Sequence, residues 1–477
     1  MKTYIRQSAI STLLFFCITA HGQQPVTPQT IKEKMTLSEE QVLEIVKRYH
    51  PVSRQADIQI EKAKEDITVA KGNFDPVIQN QTAKKTFDGT NYYYYNRPEF
   101  SVPTWFGAEI RGGVEYLSGN RTNPEETKGE TSYFGISVPL AKNLLIDKRR
   151  AELQKAKIMR GATETEKSSI LNTLQRDALH TYWNWVQRYQ VYNIISNAVT
   201  VNEKRLELVR LSFKLGDRPA IDTTEALTQL QSFELLKNQA GIEFQNAGLE
   251  LSIFLWTSNS EPYYLPEAVI PPENITTPDE IIPGLPELDS LLLAAKQHPE
   301  LQQYNYKLKI LDVEKKLKFQ ELLPVINLEY NQLGKGYNML KTATTPLFEN
   351  NFQYGIKLGI PLRLSKGRGE YKKARLKITE TELQKSLKQL QIENKTKSYF
   401  NELIALKNQL AIQEKVYQNH QLLQRGEELR FQSGESSLFL INARETKTLE
   451  SLQKMVELKI KYHKTLNSLR WAAGILK

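Results

Sequence analysis

The stretch Phe352-Gln353-Tyr354-Gly355-Ile356-Lys357-Leu358-Gly359-Ile360-Pro361-Leu362-Arg363-Leu364 alternates from end to end. Phe352, Tyr354, Ile356, Leu358, Ile360, Leu362 and Leu364 share one parity, while Gln353, Gly355, Lys357, Gly359 and Arg363 share the other. Successive side chains of an extended chain point to opposite faces, so one face suits lipid and the other a wet interior. A strand of this length is able to cross a bilayer, which takes about 9–11 residues. Three more segments repeat the pattern. Ile326, Leu328 and Tyr330 alternate with Asn327, Glu329 and Asn331; Phe134, Ile136, Val138 and Leu140 with Gly135, Ser137 and Pro139; and Phe106, Ala108, Ile110, Val114 and Tyr116 with Glu109, Arg111 and Glu115. Soluble sandwiches alternate too, so the weight lies in four such segments interrupting long helical stretches.

Working outward, the chain states its plan twice. His50-Pro51 and His298-Pro299 lie 248 residues apart, and the same offset carries Phe74-Asp75-Pro76-Val77-Ile78 onto Leu322-Leu323-Pro324-Val325-Ile326. Further on, Val138-Pro139-Leu140 answers Ile360-Pro361-Leu362, Tyr182-Trp183-Asn184 answers Tyr399-Phe400-Asn401, and Phe213-Lys214-Leu215-Gly216 answers Phe431-Gln432-Ser433-Gly434. A tandem duplication of this size sets the architecture. Each copy reads helix, strands, very long helix, glycine turn, helix. The spans are 1–22 for a leader, 23–256 for the first repeat, 257–286 for a proline-rich link and 287–477 for the second repeat.

The leader is read from Lys2 and Arg6 ahead of an apolar run, Ile10 to Ile18, with small residues Ala20 and Gly22 where a signal peptidase would cut. Cys17 follows bulky Phe16, which argues against a lipid anchor. It is the only cysteine, so the exported chain is expected to have no disulfide, thiolate metal site or cysteine nucleophile. No later segment has the ~18 uninterrupted apolar residues of a transmembrane helix. The formal charge of +10, about +8 without the leader, comes from lysines alternating with glutamates along helices, a solvated surface rather than a nucleic-acid footprint.

Helices are expected over about 36–72 and 288–323, before the strands of each copy. From Asp147 to Leu215 no proline interrupts the helical period, which gives a rod of about 100 Å. After Gly216, Leu230, Phe233, Ala240, Phe244, Ala247, Leu251 and Phe254 recur at alternating steps of three and four, with Lys237 in the seam. The second copy repeats this at an offset of 222 with Leu452, Met455, Lys459, Tyr462, Leu466, Leu469, Ala473 and Leu476. The first copy presents three strand-like segments, roughly 77–87, 105–117 and 132–141. A chain that leaves one side of a membrane and returns must cross an even number of times, so either the first segment, polar on both faces, is not a full crossing, or one segment lies outside the barrel. Tyr92-Tyr93-Tyr94-Tyr95 suits an external loop, an interfacial girdle or a plain surface loop.

With these features in this order, the chain resembles the TolC-like outer-membrane efflux proteins across essentially all of the sequence after the leader. The resemblance rests on the leader, the duplication, strand pairs between long helices, and turns at Leu215-Gly216-Asp217-Arg218-Pro219-Ala220-Ile221-Asp222 and Ser433-Gly434-Glu435-Ser436-Ser437-Leu438-Phe439. It implies a mainly α fold with membrane β-strands, in which duplicated coiled-coil hairpins and strands from three protomers form a periplasmic tunnel and an outer-membrane β-barrel. The implied role is the outer-membrane channel of a tripartite efflux or type I secretion system, working with a periplasmic membrane-fusion adaptor and an inner-membrane RND or ABC transporter. Elementary physics agrees on assembly. Two to four strands cannot close a barrel, whose practical minimum is about eight, and an open edge cannot face lipid.

The glycine turns are expected at the periplasmic tip, since glycine permits the positive φ that reverses a helix tightly. The resemblance implies adaptor docking at Leu215, Gly216, Asp217, Ser433, Gly434 and Glu435. It also implies a ring of carboxylates at the aperture, with Asp222 and Glu225 on one helix face, Arg218 offsetting their repulsion, and Asn442 and Glu445 as displaced second-copy counterparts. Each is equally an ordinary exposed helix residue. No cofactor is expected: the histidines lack the His-Glu-x-x-His spacing, Gly367-x-Gly369 has no third glycine, and no G-x-S-x-G occurs. His50 and His298 read as caps at equivalent helix ends. The competing class is a soluble periplasmic coiled-coil scaffold or adaptor whose alternating segments form a small sheet.

Overall fold

The computed structural model describes residues 35–476 except 121, 123–126, 267 and 273–286. The expected leader with Cys17 and the end of the proline-rich link lie outside the described residues. The first copy runs β1 (Met35–Thr36), α1 (Glu39–Tyr49), α2 (Pro51–Gly72), β2 (Val77–Phe87), β3 (Thr90–Pro103), β4 (Glu109–Ser118), β5 (Gly129–Pro139), α3 (Lys148–Lys214) and α4 (Ala220–Ser252). After β6 (Val269–Ile270) the second runs α5 (Leu288–Ala295), α6 (Pro299–Phe319), β7 (Val325–Lys335), α7 (Met339–Ala343), β8 (Phe352–Gly359), α8 (Ser365–Gln432) and α9 (Leu438–Ala472).

The continuous helices expected over 36–72 and 288–323 are each split, at His50 and His298. Both histidines leave the helical region, with ψ 133° at His50 and 136° at His298, both are followed by proline at the first helical position, and both cap the next helix through Nδ1. Nδ1 of His50 accepts the Val52 N–H at 3.2 Å, and Nδ1 of His298 accepts the Glu300 N–H at 3.2 Å. Proline cannot donate within a helix and disfavours helical geometry in the residue before it, which forces the break. Burial holds both imidazoles below the usual histidine range and so keeps them neutral acceptors.

β2, β3, β4, β5, β7 and β8 form one sheet in that order, and every neighbouring pair is antiparallel. The first copy therefore contributes four strands rather than three, an even count that returns the chain to its starting side. The additional strand is β3, which contains the tyrosine run; Tyr94 pairs with Lys84 on one side and Ser118 on the other. The segment expected at 105–117 begins instead at Glu109, because Thr104 accepts from Gly107 and closes a turn after β3. The strand expected to reach Leu364 ends at Gly359, ahead of Pro361, which has no N–H to continue a ladder.

The two faces separate as the alternation predicts. Ile136, Tyr330 and Tyr354 lie in one cross-strand row and Val138, Leu328 and Ile356 in the next, all on the apolar face. The other face carries Arg97, Glu99, Tyr133, Glu109 and Arg111. There the Tyr133 hydroxyl donates to Glu99 at 2.7 Å, Arg97 Nε donates to the Tyr133 oxygen at 2.9 Å, and Arg111 Nε reaches Glu109 at 2.9 Å. The sheet has two free edges, β2 and β8.

Below the sheet, α3 has 67 residues and α8 has 68, each about 100 Å long. Midway down, α1, α4 and α9 close around Tyr182, Trp183, Trp185 and Val186 of α3. The seam of α4 is buried at Leu230, Phe233, Ala240, Ala247 and Leu251 as its spacing predicts. In α9 the expected register is buried at Tyr462, Leu466 and Leu469, but Leu452 and Met455 are only half-buried. Val456 and Ile460 take the place facing α3, while Leu458 and Tyr462 face α8. Serving two neighbours at once widens the buried stripe beyond a single seam.

Candidate functional site: the hairpin tips

Each hairpin reverses at one glycine. Gly216 has φ +82° and Gly434 has φ +79°, conformations that side-chain-bearing residues seldom adopt. The hydrogen bonds are the same at both turns. Asp217 N–H donates to Ser212 C=O at 3.0 Å and Gly216 N–H to Phe213 C=O at 3.0 Å; Glu435 N–H donates to Arg430 C=O at 2.8 Å and Gly434 N–H to Phe431 C=O at 3.1 Å. These are paired Schellman closures that satisfy the last carbonyls of α3 and α8. Pro219 and Ser437 then precede α4 and α9 as N-caps.

Arg218 joins the two turns. Its Nη2 donates to the Phe431 carbonyl at 2.9 Å, its guanidinium lies 3.8 Å from the Phe431 ring centroid, and its Nη1 stands 3.8 Å from Asp222. Asp222 is thus turned toward the joint between the hairpins. Glu225, on the same face of α4, accepts from Asn442 Nδ2 at 3.3 Å. Leu215, Asp217, Ser433, Gly434 and Glu435 are exposed at the extreme end, Gly216 with them.

Behind the turns sits a charge cluster that only part of the sequence pattern indicated. Glu445 is 4% exposed and faces α3. Arg205 Nη1 meets its Oε2 at 2.5 Å, and Asn202 Nδ2 stands 3.2 Å from both of its carboxylate oxygens. Arg205 also reaches Asn442 Oδ1 at 3.4 Å. Asn442 and Glu445 therefore act as a buried link between the two hairpins of one protomer. Sequence reasoning missed Arg205, Asn202 and Glu427; the last accepts from Ser436 Oγ at 2.5 Å and stands 3.7 Å from Arg444. One signal was present. Arg205 lies eleven residues before Gly216 and Glu445 eleven after Gly434, so the two stand level, about 16 Å behind the turns.

Among the described residues no group of three histidine, cysteine, aspartate or glutamate side chains converges to hold a metal ion. No helix among them is long and apolar enough to cross a membrane.

No family model matches the chain, and no curated protein matches it in sequence. Solved structures do. CusC, in a study of its folding and transmembrane channel formation, superposes with a TM-score of 0.65 at 12% identity over 91% of each chain. The fold is that of the TolC-like outer-membrane channels. The Campylobacter jejuni CmeC outer membrane channel matches with a TM-score of 0.62 at 15% identity, over 91% of this chain and 85% of its own. The Neisseria gonorrhoeae MtrE outer membrane channel in its open state gives 0.63 at 14%, over 92% and 89%. The likeness spans about nine-tenths of the chain, whose sheet lies at one end of the long helices and whose glycine turns lie at the other.

Proposed function

We propose that the protein is a passive outer-membrane channel, a homotrimer whose sheet crosses the outer membrane and whose helices extend through the periplasm. The observation that carries this is the six-stranded sheet, whose strands β4, β5, β7 and β8 are largely apolar on one face and polar on the other, open at both edges and set on rods of about 100 Å. An unpaired edge cannot face lipid. Joining β2 of one copy to β8 of the next closes the sheet, and three copies make eighteen strands, a size that leaves an aqueous lumen. The charged face then lines the lumen.

A further feature supports assembly. Leu235, Ile242 and Leu249 on α4, and Leu376, Leu383 and Leu390 on α8, recur at sevens and are exposed. Such stripes suit helix packing between copies.

The tips are the periplasmic aperture. Asp222 and Glu225 gather around the threefold axis, Arg218 offsets their charge, and the Arg205–Glu445 link keeps the hairpins of each protomer together. Exposed Leu215, Ile221 and Phe439 present an apolar end for a periplasmic adaptor, and an inner-membrane RND or ABC transporter supplies the energy for efflux or type I secretion. The protein itself performs no bond chemistry.

The deciding test is extraction. Recovery from outer membranes only with detergent, as a trimer that conducts in planar bilayers, supports the channel; a monomer released by osmotic shock makes the protein a soluble scaffold instead. Replacing Asp222 and Glu225 with alanine is expected to reduce cation preference in single-channel recordings. Unchanged selectivity removes both from the aperture.

A further inference from the structure

The connection between β7 and β8 does not project away from the sheet. It folds back over the apolar face, where α7 rests on a floor of small residues from three adjacent strands, Gly112, Ser132 and Gly334. Thr342 Oγ1 and Ser132 Oγ are buried together at 2.8 Å. A Cβ at Gly112 would stand 2.9 Å from the Met339 sulfur, and one at Gly334 would collide with Thr342, so glycine is what admits the helix. Beyond α7 the connection is pinned by the sheet's own polar groups. The Phe348 N–H donates to the Tyr330 hydroxyl at 2.8 Å, and Gln332 Nε2 donates to the Pro346 carbonyl at 3.2 Å.

This arrangement does two things at once. It covers polar residues of the apolar face, since Ser132 is 0% and Gln332 2% exposed beneath it. It also presents a new apolar surface on its far side, where Leu340 is 79%, Leu347 66% and Phe348 64% exposed. That surface is continuous with the strands. The Phe348 ring lies 4.6 Å from Tyr330 and 5.6 Å from Phe352, both on the same face. An exposed apolar patch next to a lipid-facing band, with the Phe348 N–H and Pro346 C=O tied to the sheet and Lys341 and Glu349 at its margin, has the chemistry of the membrane–water interface.

We propose that the β7–β8 connection is an interfacial anchor, lying on the outside of the barrel with Leu340, Leu347 and Phe348 set into the outer edge of the lipid bilayer. The inference rests on the channel reading. In that reading the connection belongs to the lipid surface and not to the lumen, because it sits on the apolar face, opposite Arg97, Glu99 and Arg111.

Cysteine labelling tests it, and Cys17, the chain's single cysteine, is removed by Cys17→Ser. An environment-sensitive fluorophore is placed at Leu340→Cys, at Phe348→Cys and, as a control on β8, at Leu358→Cys. The protein is reconstituted into phosphatidylcholine vesicles with or without brominated chains. The expected result is loss of emission with brominated lipid at positions 340 and 348 comparable to that at 358, with aqueous iodide quenching all three weakly. Lipid quenching at 358 together with iodide quenching alone at 340 and 348 overturns the anchor and leaves the channel standing. No lipid quenching at 358 removes the channel reading and the anchor with it. Leu340 contributes little to packing, so its variant reports position without disturbing the fold.

Discussion

The helices α3 and α8 are nearly equal in length and equivalent in the duplication, yet they are buried very differently. Along α3 the buried positions include Leu174, Ala178, Leu179, Tyr182, Trp183, Trp185, Val186, Tyr189 and more, continuing to Val209. Along α8 they thin to Gly367, Thr381, Ile392, Thr396, Leu403, Leu406, Leu410 and Glu427, with exposed leucines between. Duplication gave both helices the same route but not the same neighbours. α3 is the mast of the protomer, enclosed by α1, α2, α4, α6 and α9. α8 keeps one side open, and in the proposed trimer that side meets another copy.

Trp185 of α3 is 1% exposed in the central cluster. Trp185→Ala is expected to lower protomer stability by about 3–5 kcal/mol, read as a shift in the denaturant midpoint in detergent. A shift below about 1 kcal/mol would mean that α3 is not the mast. Second in size is Glu445→Ala, which strands Arg205 in a buried site and is expected to cost about 3 kcal/mol. Glu445→Gln keeps a partner for Asn202 and should cost less. If the two variants unfold alike, the charge at this position is not what joins the hairpins.

Leu383→Glu with Leu390→Glu on α8 should behave in the opposite way to Trp185→Ala. Both leucines are exposed, so protomer stability should move by no more than about 0.5 kcal/mol per site. The trimer should nevertheless be lost, which sedimentation in detergent detects. A trimer that survives places the seam elsewhere.

The smallest effect concerns acid. His50 and His298 are held neutral by burial, and their folded pKa lies below the ordinary 6.5. On acidification the unfolded chain takes up these protons first, so stability is intact above 6.5 and falls as pH drops below it. Protonation also turns the Nδ1 acceptor into a donor and removes a cap worth about 1 kcal/mol. His50→Asn with His298→Asn keeps a capping oxygen without the titration. It should flatten stability against pH on the acid side, and an unchanged slope would assign the acid sensitivity to other groups.

Local features were legible in the sequence. The two His-Pro caps, the two glycine reversals and the alternation of β7 and β8 each depend on a few adjacent residues, and each could be read where it stands. β3 could not. Its tyrosines flank Asn96, Arg97 and Pro98, which blur the alternation, and it is recognised as a strand only through its partners β2 and β4. The Arg205–Glu445 link was hidden for a related reason. On its own helix each residue is an unremarkable charge, and only the fold brings level two positions 240 residues apart. The register of α9 drifted because one helix packs against two others.

The short parallel pairing of β1 with β6 has a consequence for how such a chain is put together. Met35 lies beside Val269, and close by Glu39 accepts from Asn467 at 3.1 Å while Leu43 packs against Trp471 and Leu476. The first described residues of the first repeat, the described part of the link and the end of the second repeat all meet at the waist, midway down the long helices. Each repeat is thus a closed circuit that visits the sheet, then the tip, and comes home. Circuits with a shared origin can be spliced in series or separated without rerouting either one, so a single splice at the waist suffices to join two half-length circuits into one chain.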